Sequence, residues 1–131
     1  MATAAGFSPI SFRIQGLGVF PGISRPRVLW AGLTGETDRI AECQQRLDTH
    51  LAASGLPKEK RPFRGHLTLG RVKGRIPADR LLQAIKRLST CESEPVAVDR
   101  IVLFQSELKP TGAVYTSLRT VPFNGHRKGR L

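Results

Sequence analysis

Acidic residues are scarce in this sequence: ten Asp and Glu stand against twenty-one Lys and Arg. Cysteine is scarcer still, since Cys43 and Cys91 lie far apart without Cys-x-x-Cys spacing, and that excludes a disulfide scaffold. Reduced, buried thiols are the expectation for both. With three histidines and no ligand-like spacing there is no zinc pattern, and no cofactor is expected. No apolar run is long enough to span a bilayer, and residues 1–9 lack the basic start and apolar core of a secretory signal. A soluble, cytoplasmic protein without a membrane partner is expected. There is no internal repeat, heptad array or low-complexity segment.

What remains is one modest domain of 131 residues, expected over 1–123, followed by a basic flexible tail over 124–131. Its formal charge of +11 and pI near 11.1 create a field that attracts polyanions, with nucleic acid the first partner to consider. The charge is uneven. Between Lys58 and Arg75 lie seven basic residues (Lys58, Lys60, Arg61, Arg64, Arg71, Lys73, Arg75) against the single acid Glu59. A solubilising surface loop would also account for such a run.

Ile10, Phe12 and Ile14 alternate with polar residues, the period of a strand with one buried face, until Gly16, Gly18, Pro21 and Gly22 break it. Residues 27–33 form a second strand, bounded by Pro26 and by Thr34-Gly35, which predicts an antiparallel pair. Thr34 is placed to cap a helix, with Glu36 and Asp38 in its first turn and Ile40, Cys43, Leu47 and Leu51 on one face. Gly55 and Pro57 end it. A strand from His66 to Val72 follows, then a helix opened by Pro77 with Leu81, Leu82, Ile85 and Leu88 facing inward. Residues 96–104 and 113–121 read as final strands joined through Pro110 and Gly112. The predicted class is α+β, a mainly antiparallel sheet with two packed helices.

Chemistry concentrates in Arg61-Pro62-Phe63-Arg64-Gly65-His66-Leu67-Thr68-Leu69-Gly70-Arg71. On a strand, His66 and Thr68 share one face while Leu67 and Leu69 take the other, so a buried apolar anchor would present a polar pair. Histidine exchanges protons near neutral pH, and a threonine hydroxyl can donate to a phosphate oxygen. Strict alternation would send Arg71 to the leucine face, where burying a guanidinium is costly. Gly70 can carry a bulge or bend that turns Arg71 toward His66 or toward solvent. In the first case His66, Thr68 and Arg71 surround one anion.

This segment resembles the second H-x-T-x motif of the RNA 2',3'-cyclic phosphodiesterases, formerly called 2'-5' RNA ligases, within the 2H phosphoesterase superfamily. Gly16-Leu17-Gly18-Val19-Phe20-Pro21, Pro26-Arg27-Val28-Leu29-Trp30 and Leu103-Phe104-Gln105-Ser106-Glu107-Leu108-Lys109-Pro110, with Gly112 and Tyr115, are similar to further stretches of the family in the same order. The resemblance runs from about residue 8 to residue 122. It implies a two-lobed fold with one H-x-T-x strand per lobe. It also implies a metal-independent hydrolase in which one histidine activates water, the other protonates the leaving ribose oxygen, and the threonines hold the phosphate. His66 and Thr68 are thereby the candidate catalytic residues, and Thr68 and Arg71 the candidate phosphate-binding residues. Phe20, Phe63 and Arg64 are candidate base or RNA contacts, with core packing the alternative for both phenylalanines. The partner implied is an RNA or nucleotide bearing a 2',3'-cyclic phosphate.

Two departures stand out. Gly65 occupies the place where related motifs commonly have proline. The first H-x-T-x motif has no counterpart: His50 is followed by Leu51-Ala52 and His126 by Arg127-Lys128, and the residues before Phe7 cannot supply it. The sequence thus corresponds to the C-terminal portion of such an enzyme, whether as a fragment, a gene-start artefact or a truncated descendant, and is expected to be weak or inactive by itself. A non-catalytic basic module that binds RNA ends or backbone, and a small basic protein packed into a ribonucleoprotein, are the rival readings. Sheet edges and apolar surface left without cover tend to pair with another chain. A homo-oligomer, or a complex with the missing N-terminal half, is therefore expected. Sedimentation at tens of micromolar protein checks this, with a dimer or larger species as the expected outcome for the chain alone.

Overall fold

The computed structural model describes residues 6–125. Their elements run β1 (Ile10–Phe20), β2 (Val28–Gly35), α1 (Thr37–Ala53), β3 (His66–Arg71), α2 (Ala78–Leu88), β4 (Val96–Val98), β5 (Arg100–Lys109) and β6 (Gly112–Pro122). This is an α+β fold with two helices. One sheet has the order β3-β2-β1-β4, and β5 and β6 form a two-stranded sheet. The β1–β2, β2–β3 and β5–β6 pairings are antiparallel. The expected tail lies, from His126 onward, outside the described residues. The described residues divide into two compact units, one made of residues 11–42 and 60–96, the other of residues 6–10, 43–59 and 97–125.

In the first unit the glycines that were expected to end β1 do not end it. The register slips between Gln15 and Leu17, and Gly16, at φ +74°, absorbs the extra residue as a bulge. β1 then continues to Phe20. Its other side is held by residues 91–93: Gly16 N donates to the Cys91 carbonyl at 3.2 Å, and Ser93 N donates to Ile14 O at 2.8 Å. Ile14 N in turn donates to Ser93 Oγ at 2.9 Å. Cys91 is exposed and free, contrary to the expectation of two buried thiols, because it sits in the turn after α2 rather than on an inward face.

β2 likewise outlasts its prediction and takes in Thr34, which pairs with Arg13 and so caps no helix. The residue that organises the start of α1 is Glu36. Its backbone N donates to Ser11 O at 3.1 Å, and its carboxylate accepts from Ser11 N at 3.2 Å and from Arg39 Nη1 at 2.7 Å. In α2, Pro77 stands at the N-cap, one position earlier than predicted. Leu81 is buried at 7% exposure while Leu82, turned about 100° around the helix, is 43% exposed. The inward stripe is therefore narrower than expected: Ile85 is half-buried and Leu88 is exposed along with Leu82.

The second unit contains the β5–β6 hairpin and residues 43–59, most of α1. Residues 96–104, read as a single strand, divide into β4 and β5 at Asp99, whose carbonyl accepts from Phe123 N at 2.8 Å. Phe7 is buried against Phe123, with ring centroids 5.7 Å apart, and the Arg46 guanidinium lies 4.4 Å from the Phe7 ring centroid. Helix α1 ends at Ala53, and the chain turns away at Gly55, at φ +98°, where Leu56 N returns to Leu51 O at 3.1 Å. The register of the hairpin puts Phe104, Leu108 and Tyr115 on one face. Leu108 is 90% exposed and Tyr115 67% exposed.

Across the first unit, cross-strand partners define the face that carries the motif. One row runs Gly18–Trp30–Thr68 and the next Gln15–Gly32–His66. A methyl group at Gly18 would overlap Cζ2, Cη2 and Cε2 of the Trp30 indole, so the indole lies across β1 only because that position has no side chain. Gly18→Ala is expected to lower stability by about 1–3 kcal/mol, the usual cost of overpacking. Gly70→Ala, whose Cβ meets nothing within 4 Å, is expected to stay within about 0.5 kcal/mol. Urea unfolding followed by the fluorescence of Trp30, the single tryptophan, measures both.

Candidate functional site

β3 opens at His66, and the chain before it fixes the imidazole. His66 Nδ1 lies 2.7 Å from the Arg64 carbonyl oxygen. A carbonyl only accepts, so Nδ1 carries the proton of this bond, and in the neutral ring Nε2 holds the free lone pair. The ring packs on aromatic neighbours. Its centroid is 5.1 Å from that of Phe20 in an edge-on contact at 88° and 6.3 Å from that of Trp30. Phe20 and Trp30 themselves meet at 5.0 Å. Phe20 is thus half-buried and engaged with Trp30 and His66. Gly65, one residue before the histidine, leaves no spare room: a Cβ there would stand 3.0 Å from Leu33 Cδ1.

Thr68 pairs with Trp30 two residues along the strand, on the same face as His66. The register then shifts. Trp30 faces Thr68 but Leu29 faces Gly70, which leaves Leu69 as the unpaired residue of a bulge. From there Arg71 faces Val28, which shares its side of β2 with Trp30 and Gly32. His66, Thr68 and Arg71 are therefore brought to one face, all three exposed. The reversal occurs at Leu69, one residue before the glycine expected to make it.

The leucine anchor is a correction. Leu67 is 48% and Leu69 53% exposed, because β3 is the edge strand of its sheet and Leu69 is the residue squeezed out by the bulge. What holds the site from beneath is instead the glycine and aromatic floor of β1 and β2. Phe63 is not gathered with His66. It lines a hollow of about 300 Å³ with Leu33, Ile40 and Gly65, on the side of β2 opposite Trp30 and Gly32. Arg64 contributes its carbonyl to His66, while its side chain is exposed.

Sequence reasoning missed Trp30 and Gly32 as parts of the floor. The signal was present as small residues alternating with large ones, but only the pairing register shows which of them meet. Among the described residues no group of three or more His, Cys, Asp or Glu is placed to hold a metal ion, and no helix is long and apolar enough to cross a membrane.

Comparison with known proteins gives a consistent result. Residues 33–115 match the family model described as LigT like phosphoesterase. The chain is 35% identical over 116 residues to an RNA 2',3'-cyclic phosphodiesterase of Methanothermobacter thermautotrophicus, covering 88% of this chain and 62% of that protein. It is 36% identical over 120 residues to the protein of the same name from Thermotoga maritima, covering 92% of this chain and 62% of that one. The crystal structure of TT0787 of Thermus thermophilus superimposes with a TM-score of 0.68 at 29% identity, covering 96% of this chain and 67% of that chain. The chain spans less than two thirds of the length of the curated relatives it matches. With the family match running from β2 to β6 through the His66 strand, and related sequences aligned along nearly the whole length, the chain belongs to the LigT-like phosphoesterase family.

Proposed function

We propose that this chain carries one of the two proton-transfer strands of an RNA 2',3'-cyclic phosphodiesterase, the C-terminal portion with the second H-x-T-x motif. The observation that carries this reading is the bond from His66 Nδ1 to the Arg64 carbonyl, which leaves Nε2 as the reactive nitrogen on the face shared with Thr68 and Arg71. A tautomer fixed in this way is what a proton-transfer histidine needs, and a solvated surface histidine has no use for it.

In the reaction, a water oxygen bonds to phosphorus as the bond from phosphorus to the ribose 3' oxygen breaks, leaving a 2'-phosphate. The base takes the proton of the water and the acid supplies one to the departing oxygen. Both roles need a positioned imidazole on its own side of phosphorus. His66 Nε2 fills one of them, and the same Nδ1 anchor serves either role, since the carbonyl stabilises the imidazolium as well as the neutral ring. The Thr68 hydroxyl and the Arg71 guanidinium donate to the phosphate oxygens, where charge gathers in the transition state. No metal ion enters these steps. The second imidazole has no counterpart in this sequence, so its proton transfer is left to solvent.

Two outcomes follow. In neutral protein, nitrogen-15 NMR of the imidazole should show Nδ1 protonated and Nε2 bare for His66; the opposite tautomer would remove the basis of the assignment. The chain alone should bind a 2'-phosphate nucleotide yet open a 2',3'-cyclic nucleotide about a hundredfold to ten-thousandfold more slowly than an enzyme with both histidines. Arg71→Ala should weaken that binding, and His66→Ala should abolish residual turnover. Calorimetric titration beside a turnover assay measures the two effects. Binding of RNA without preference for a phosphorylated end would favour the non-catalytic RNA-binding module instead.

A further inference from the structure

The antiparallel pairing of β2 and β3 brings together two loops that lie far apart in sequence. Val28 faces Arg71, and Val72 N donates to Arg27 O at 2.9 Å, so the residues before β2 run beside those that lead from β3 into α2. Between them is a cavity of about 760 Å³ whose lining includes Ser24, Arg25, Arg27, Gly74, Arg75 and Pro77. Three arginines line this space, and no acidic residue does among the described residues. Three arginines elsewhere have an acidic partner: Arg13 with Glu92 at 3.1 Å, Arg39 with Glu36 at 2.7 Å and Arg100 with Asp99 at 2.8 Å. Arg25, Arg27 and Arg75 have no such partner among the described residues.

All three arginines are exposed, and three like charges around one cavity make it attractive to an anion. Guanidinium forks match phosphate oxygens in shape as well as charge. The frame is built rather than loose, since Pro26 and Pro77 restrict their loops and Gly74 takes a tight turn at φ +85°. Helix α2 adds the positive end of its dipole just beyond Pro77. We infer that Arg25, Arg27 and Arg75 form a second phosphate site, separate from the His66 face, that holds an internal phosphodiester of the RNA strand whose reactive end lies at His66. This rests on the function proposed above. From His66 to Arg71 the strand runs five residue steps, roughly 17 Å, and the cavity lies beyond its far end. A mononucleotide cannot reach both places, whereas a strand of several nucleotides can. The site therefore measures RNA length and is not needed for chemistry at the end itself.

The test compares a 2'-phosphate mononucleotide, an oligoribonucleotide with a 2'-phosphate end, and the same oligoribonucleotide with an unphosphorylated end. Each is titrated into wild type, Arg25→Ala/Arg75→Ala and Arg71→Ala. The double variant should leave mononucleotide affinity unchanged. It should weaken both oligonucleotides by roughly tenfold at low salt and reduce the salt slope by about 1.4, or 0.7 for each lost contact. Arg25→Lys/Arg75→Lys should keep the slope, because the charges stay, while losing part of the affinity. Unchanged oligonucleotide binding, or an equal loss for mononucleotide and oligonucleotide, would overturn the inference. Failure of the functional reading looks different: the two oligonucleotides would bind equally well and Arg71→Ala would not discriminate between them, while the effect of the arginine pair on both would persist. Competition by inorganic phosphate alone at the same concentration as the oligonucleotide would show a site for free phosphate and would also overturn the inference.

Discussion

The register between β2 and β3 is the constraint on which the rest depends. A regular strand repeats every two residues, so His66 and Thr68 share a face but Arg71, at an odd offset, does not. One unpaired residue, Leu69, changes the parity and returns Arg71 to the side of Trp30 and Gly32. The same register sets Arg27 beside Val72 and closes the arginine-lined cavity. The placement of both clusters thus depends on the pairing of one edge strand. The cost is visible in Leu67 and Leu69, which stay half in water where a regular central strand would have buried one of its faces.

The floor of the site follows a second rule, that large rings need empty neighbours. Gly18 makes room for the Trp30 indole, and Gly32, whose missing Cβ would stand 2.7 Å from Gln15 O, lets β1 and β2 approach closely beneath the imidazole. Phe20 closes the stack edge-on. Such a floor holds the ring by shape, and the Arg64 carbonyl holds it by direction. Together they limit both the tilt and the rotation of His66 through contacts that carry no formal negative charge.

Much of this was legible in the sequence and some was not, for physical reasons. Alternation marked β1, an apolar run bounded by Pro26 and Thr34-Gly35 marked β2, Gly55 and Pro57 marked the end of α1, and the His66 to Arg71 strand was placed to within one residue. The glycines misled because the residue that ends one strand bulges another: Gly16 adopts φ +74° and β1 carries on past it. Thr34 misled because a residue suited to capping is also at home in a strand, and its pairing with Arg13 is a contact that local sequence cannot show. Helix α2 was found but its buried stripe was drawn too wide, since hydrophobicity marks Leu81 and Leu82 alike while geometry admits one of them.

The candidate site divides along the same line. His66, Thr68 and Arg71 announce themselves because their chemistry is local to one segment. Trp30, Gly18 and Gly32 act only through cross-strand pairing, and so do Arg25, Arg27 and Arg75, which come from two loops. Net charge predicted an anionic partner but could not say where the charge would act. The structure sorts the arginines by what faces them. Those beside Glu36, Glu92 and Asp99 are already neutralised within the fold, and for exposed pairs that is worth little. The arginines that shape the outside field are those left facing open space. Arg71 and the three around the cavity lie at one end of the β2–β3 ladder, and the exposed Arg64 stands at the other, two residues before His66.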